Sequence, residues 1–215
     1  MSIALEALPQ ERAHALALLR ERMQAAGCVF DFAVRGVLAD AGVELAHHRA
    51  VLRAMFDDID AQWALHRQAL RAQGMDLPEP LPAAMQHELA RASATPWDAR
   101  SVCDASGFKP RRSEGISFPA PPTTPFESLF RAFDDPPYGT RAQPGLFADF
   151  CQAVGLLPAQ DIVVFDWVGD PEQAPQRSAW SAYFDDGKEW WGIWCLTVWN
   201  PRQRTIAALA ASATD

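Results

Sequence analysis

Two carboxylates frame the part of this chain best suited to chemistry. Asp166 lies in DIVVFDWV, and Glu189 stands at the head of EWWGIWCLTVWN. On neighbouring strands such a pair could act as acid and base in glycosidic hydrolysis, one protonating the leaving oxygen while the other activates water or attacks the sugar. Asp166 shares an alternating strand face with Ile162 and Val164, which predicts a buried carboxylate. Between the two carboxylates runs GDPEQAPQRSAWSAYFDDGK, the one long insertion between strands. Loops carried on a rigid sheet are where function usually resides. This one brings Arg177, Trp180, Tyr183, Asp185 and Asp186 toward the strand ends, with Glu189 and Trp191 at its exit. Aromatic and arginine side chains anchor protein interfaces, and carboxylates attract a basic partner, so these residues are the candidate binding surface. Turn chemistry accounts for Asp185 to Gly187 without any function.

No metal site is expected. Asp185, Asp186 and Glu189 offer oxygen ligands, but without a histidine and without a D-x-D-x-D-G calcium loop. His47 and His48 are adjacent on a helix and point about 100° apart, so they cannot share an ion as i, i+4 ligands do. His66 falls on an apolar helical stripe and reads as a core histidine. H-E-x-x-H, G-x-S-x-G and glycine-rich phosphate loops are absent, and no cofactor is implied. Lys109, Arg111 and Arg112 form one small basic patch, which reads as an exposed loop.

The elements that must position these residues predict an α+β protein: a helical N-terminal half with antiparallel helices, then a small antiparallel sheet packed by short helices. Residues 1–93 read as helical. Leu16, Leu19 and Met23 form one face after Pro9, and Phe30, Val34, Val37, Leu38 and Ala41 continue a helical period. Leu45, Leu52, Met55, Phe56, Ile59, Trp63, His66 and Leu70 then predict a long helix ending at Gly74, and a short helix with Met85 and Leu89 follows. Residues 94–123 have little period and many breakers, as a linker or a long surface loop does. In 124–215, Thr124-Pro125-Phe126-Glu127 caps a short helix. A second helix carries Phe147, Phe150, Cys151 and Val154 up to Gly155. WGIWCLTVWN and RTIAALAASAT predict a C-terminal β-hairpin. With NPRQ as its turn, Trp199 would face Arg204, Trp194 would face Leu209 and Trp191 would face Ser212. Both faces of the tryptophan strand are apolar, so it should be central and covered on both sides, with Trp167, Trp190 and Trp194 filling core.

Composition narrows the function classes. The net charge of −8 argues against nucleic acid, which needs a basic face. No apolar run reaches the ~18 residues of a membrane span. MSIALEALPQERAHALALLRERM has charges among its apolar positions, unlike a signal peptide. Cys28, Cys103, Cys151 and Cys195 are scattered without a C-x-x-C pair, as in a reduced cytoplasmic protein. Of the 19 basic residues only Lys109 and Lys188 are lysines, a bias expected of a GC-rich bacterial genome. In composition and general layout the chain is similar to the acidic immunity proteins that neutralise secreted toxins; no family motif is matched, so no residue roles carry over. The expected function is therefore binding of a basic protein partner. A hydrolase built on Asp166 and Glu189 and a homodimer formed through the long helix are the alternatives.

Overall fold

The computed structural model describes residues 5–38, 42–80, 86–98, 102–103, 125–134, 143–157, 161–185, 187 and 192–212. Six strands form one antiparallel sheet: β1 (Leu5–Glu6), β2 (Asp31–Val37), β3 (Thr95–Trp97), β4 (Val163–Asp166), β5 (Ile193–Asn200) and β6 (Thr205–Ser212). Their spatial order is β1-β2-β6-β5-β4-β3. The helices among the described residues include α1 (Gln10–Ala25), α2 (Leu45–Ala72), α3 (Pro125–Asp134) and α4 (Leu146–Val154). The fold is mixed α+β, and its strands are scattered along the chain: the N-terminal half supplies β1, β2 and β3 as well as two helices. None of the described helices is long and apolar enough to cross a membrane.

Both faces of the sheet are covered. On one, Leu16, Leu19 and Met23 of α1, Leu129 and Phe133 of α3, and Phe150 and Val154 of α4 pack on Phe32, Val34, Leu196, Val198 and Leu209. On the other, Val51, Leu52, Met55, Phe56 and Ile59 of α2 pack on Ala33, Val37, Ile193, Cys195 and Ile206. The alternation along β5 sorts its side chains between these two cores, as period-two geometry requires. β6 is alanine-rich, so two layers can close on it without overpacking.

Three expectations are corrected. Residues 31–37 are a strand, not a helix. Phe32 and Val34 enter one core while Ala33 and Val37 enter the other, so a strand covered on both faces is apolar nearly throughout and mimics a helical stripe. Leu38, counted in that stripe, is exposed, and Ala41 lies outside the described residues. Second, the β5–β6 register is displaced by two residues. Asn200 pairs with Thr205, Trp199 with Ile206 and Trp194 with Ala211. The loop is therefore Pro201–Arg204. It is set by buried Asn200, whose Oδ1 accepts the N–H groups of Arg202 and Gln203 at 3.1 and 3.0 Å, and by Arg204 at φ 54°. The partner assumed for Trp191 lies beyond this: Ser212 pairs with Ile193 instead.

Third, the apolar stripe of α2 is not core along its whole length. The helix spans the 28 residues its periodicity predicts, but its buried positions end at Ile59. Residues 60–72 extend about 20 Å further at 1.5 Å per residue. There Trp63 is 54% and Leu65 67% exposed, and His66 is exposed rather than a core histidine. Of the expected linker, Thr95–Trp97 is an edge strand in which Pro96 pairs with Phe165, a position where a missing N–H is tolerated. Residues 104–123 lie outside the described residues, as does Met85 of the expected short helix.

Candidate functional site

Asp166 ends β4 and is 6% exposed, the buried carboxylate its spacing predicts. Its Oδ1 accepts the N–H groups of Val168 and Gly169, both at 3.0 Å. Its Oδ2 accepts from Arg177 Nη1 at 3.2 Å, and Arg177 Nη2 donates to the Asp166 carbonyl at 2.9 Å. Gly169 has φ 67°, and a Cβ there would lie 2.6 Å from Arg177 Nη1. Glycine lets the guanidinium close over the carboxylate. Asp166 and Arg177 thus clamp the start of the 169–188 insertion to the sheet. Glu189 lies outside the described residues, and with it the carboxylate separation that a hydrolytic pair requires.

The insertion folds inward through two short 3-10 turns, Pro175–Ser178 and Ala182–Phe184. Trp180 is 3% exposed. Its Nε1 donates to the Trp167 carbonyl at 3.1 Å, and its ring meets Phe56 and Phe184 edge-on. It is a core residue and presents almost no surface to a partner. Tyr183 is half-buried between Phe56 and Phe184, and its hydroxyl donates to Asp31 Oδ2 at 2.9 Å. Asp185 is exposed. Asp186, Lys188 and Trp191 lie outside the described residues.

The structure brings forward polar groups that sequence reasoning missed. Ser181, His87 and Asp60 form a serine–histidine–aspartate series: His87 Nδ1 shares a 2.7 Å hydrogen bond with Ser181 Oγ, and Nε2 lies 3.3 Å from Asp60 Oδ1. A nucleophile needs an open approach, yet Ser181 is 2% exposed and its Oγ also accepts the Tyr183 N–H. His87 and Ser181 are bridged through their backbones, and Glu88 N–H donates to the Trp180 carbonyl. The series is a clasp that holds residues 86–89 against the insertion. Deeper in the same core, Thr197 Oγ1 accepts from Trp167 Nε1 at 2.9 Å and shares a 2.8 Å hydrogen bond with His48 Nδ1. Burial, helped by neighbouring His47, pushes the His48 imidazole down to about 4.

Asp31 is the other missed group. As the first residue of β2 it points to the same sheet face as Ala33 and Val37, toward α2. Burial raises its carboxyl above the ordinary range, opposed by the Tyr183 hydroxyl and, at longer range, by Arg20. Burial and the Asp31 charge together hold the Tyr183 phenol well above its ordinary value. Asp31, Ile59, Gln62, Trp63 and His66 line a hollow of about 400 Å³ where α2 leaves the sheet. The sequence carried a signal for this site: Asp31 is a lone acid between Phe30 and Phe32, which becomes visible once the segment is read as a strand.

Among the described residues, no group of three His, Cys, Asp or Glu side chains is placed to hold a metal ion. Comparison with family models, curated proteins and solved structures returns no match to this chain.

Proposed function

We propose that this chain is a protein-binding module that docks a basic protein, in the manner of an immunity protein neutralising a toxin. The observation that carries this reading is the overhanging half of α2, which presents Trp63 and Leu65 to solvent on a regular helix. A rigid helix bearing an exposed tryptophan is suited to filling a partner's pocket at little cost in order. Asp57 and Asp58 on the helix and Asp76 and Glu79 just beyond it are exposed acids, and the whole chain carries −8. Such a field speeds encounter with a basic surface. The engagement of Asp166 by Val168, Gly169 and Arg177 favours binding over hydrolysis.

The test is affinity capture from the source organism, using the full chain and a Trp63→Ser/Leu65→Ser double variant as baits. The wild-type bait should retain a basic protein at low salt and release it at about 1 M salt, where the screening length falls to ~3 Å. The double variant should retain much less while melting as the wild type does. Failure to retain a basic protein, or equal retention by both baits, would refute the reading. The same overhang supports a homodimer as the second reading, and a monomer by light scattering at high concentration removes it.

A further inference from the structure

We infer that the hollow beside Asp31 receives an arginine side chain of the protein partner, with Asp31 as its counter-charge and Trp63 as its stacking surface. This rests on the protein-binding reading and names the contact that would make it selective for a basic partner. The hollow, of about 400 Å³, is open to solvent, so a side chain on an approaching surface can enter it. It opens beside Trp63, the single tryptophan of α2, so an approaching surface meets both together.

The chemistry of the lining is selective. Asp31 Oδ2 accepts from Tyr183, and among the described residues no other donor bonds this carboxylate. The cation that acts on it, Arg20, is already committed: its Nη2 donates to the Phe32 carbonyl at 2.9 Å and its guanidinium lies over the Phe32 ring. Asp31 is therefore a partly desolvated carboxylate without a close counter-ion, a group for which an incoming cation has much to offset. Gln62 adds an amide oxygen on the same wall. A guanidinium fits this set better than an ammonium. Its flat fork matches a carboxylate, its face stacks on indole, and it is the more weakly hydrated of the two.

The experiment titrates the full-length, ¹⁵N-labelled chain with N-acetyl-argininamide and with N-acetyl-citrullinamide, its neutral isostere. The Trp63 indole N–H signal, assigned with Trp63→Phe, is the readout. The arginine derivative should shift that signal and bind at least about tenfold more tightly than the citrulline derivative, as loss of a charge-assisted contact implies. Asp31→Asn should abolish the difference between the two. Tyr183→Phe, which leaves the carboxylate charged and frees its Oδ2, should bind arginine at least as well as wild type. Equal binding of the two derivatives, unchanged arginine affinity in Asp31→Asn, or shifts that spare Trp63 would each overturn the proposal. If Asp31→Asn does not fold, Trp63→Ala serves, read on the backbone amides of Gln62 and His66, which line the same hollow: unchanged arginine affinity there overturns it too. The two proposals fail separately. A partner captured through α2 but held equally by Asp31→Asn removes the arginine pocket and keeps the binding module. Arginine binding that depends on Asp31, with no partner captured, does the reverse.

Discussion

His48 sits in the α2 side of the core, with Thr197 on its Nδ1 and the ring of Phe165 meeting it edge-on at 4.8 Å. Its folded pKa of about 4 lies below the ordinary 6.5, so between these values the unfolded chain holds a proton that the folded chain excludes. Stability is complete above pH 6.5 and falls as pH drops toward 4, by about 3 kcal/mol at most. Urea denaturation at pH 7, 5 and 4 should show this loss, and His48→Gln should flatten it. A second residue-scale expectation concerns the clamp on the insertion. Arg177→Met leaves Asp166 buried without its cation and should cost about 3 kcal/mol, whereas a surface pair would cost under ~1. Denaturant midpoints distinguish these. The cysteines give a third. Burial pushes the Cys28 and Cys103 thiols up to about 11 and raises those of Cys151 and Cys195 as well. Thiolate is the reactive form, so a thiol reagent at pH 7 should label the folded chain slowly and the urea-unfolded chain fast.

At the scale of elements, α2 is two helices in energetic terms. Residues 48–59 bury His48, Val51, Leu52, Met55, Phe56 and Ile59; residues 60–72 bury none. Amide exchange should follow that division, with 60–72 opening locally and 48–59 exchanging only through larger unfolding events. Trp63→Ala should change stability by under ~0.5 kcal/mol because the Trp63 ring is exposed and meets the exposed His66 ring edge-on at the helix surface. Trp194→Ala should cost about 3 kcal/mol, since Trp194 packs into the α1 side of the core beside Phe30 and opposite Ala211. The same substitution type at two tryptophans thus reads the difference between an exposed side chain and a packed one. The hairpin turn is tied to α4 by Asn200, whose Nδ2 donates to the Gly155 carbonyl at 3.0 Å while its Oδ1 caps the loop.

At the scale of the whole molecule, legibility followed period and burial. The helix over 45–72, the helix ending at Gly155, the β5–β6 hairpin and the two-sided burial of β5 were readable, because local period and terminating residues encode them. The strand over 31–37 was not, because a strand buried on both faces shows no alternation. The hairpin register was not, because a two-residue slip keeps every side chain on its face and changes only which residues pair. Of the candidate site residues, Asp166 was readable as buried from its strand face. That Arg177 would close on it, that Trp180 would be core, and that Tyr183 would find Asp31 across 152 positions of chain depended on how the insertion folds back. By itself the sequence determined the mixed α and β content, the acidic charge and the length of α2, since these follow from composition and local pattern. Only the tertiary structure decided where α2 leaves the sheet, and that edge separates Ile59 in the core from Trp63 in solvent. An apolar stripe states that a face seeks cover; the extent of the neighbouring layer decides how much of it is covered.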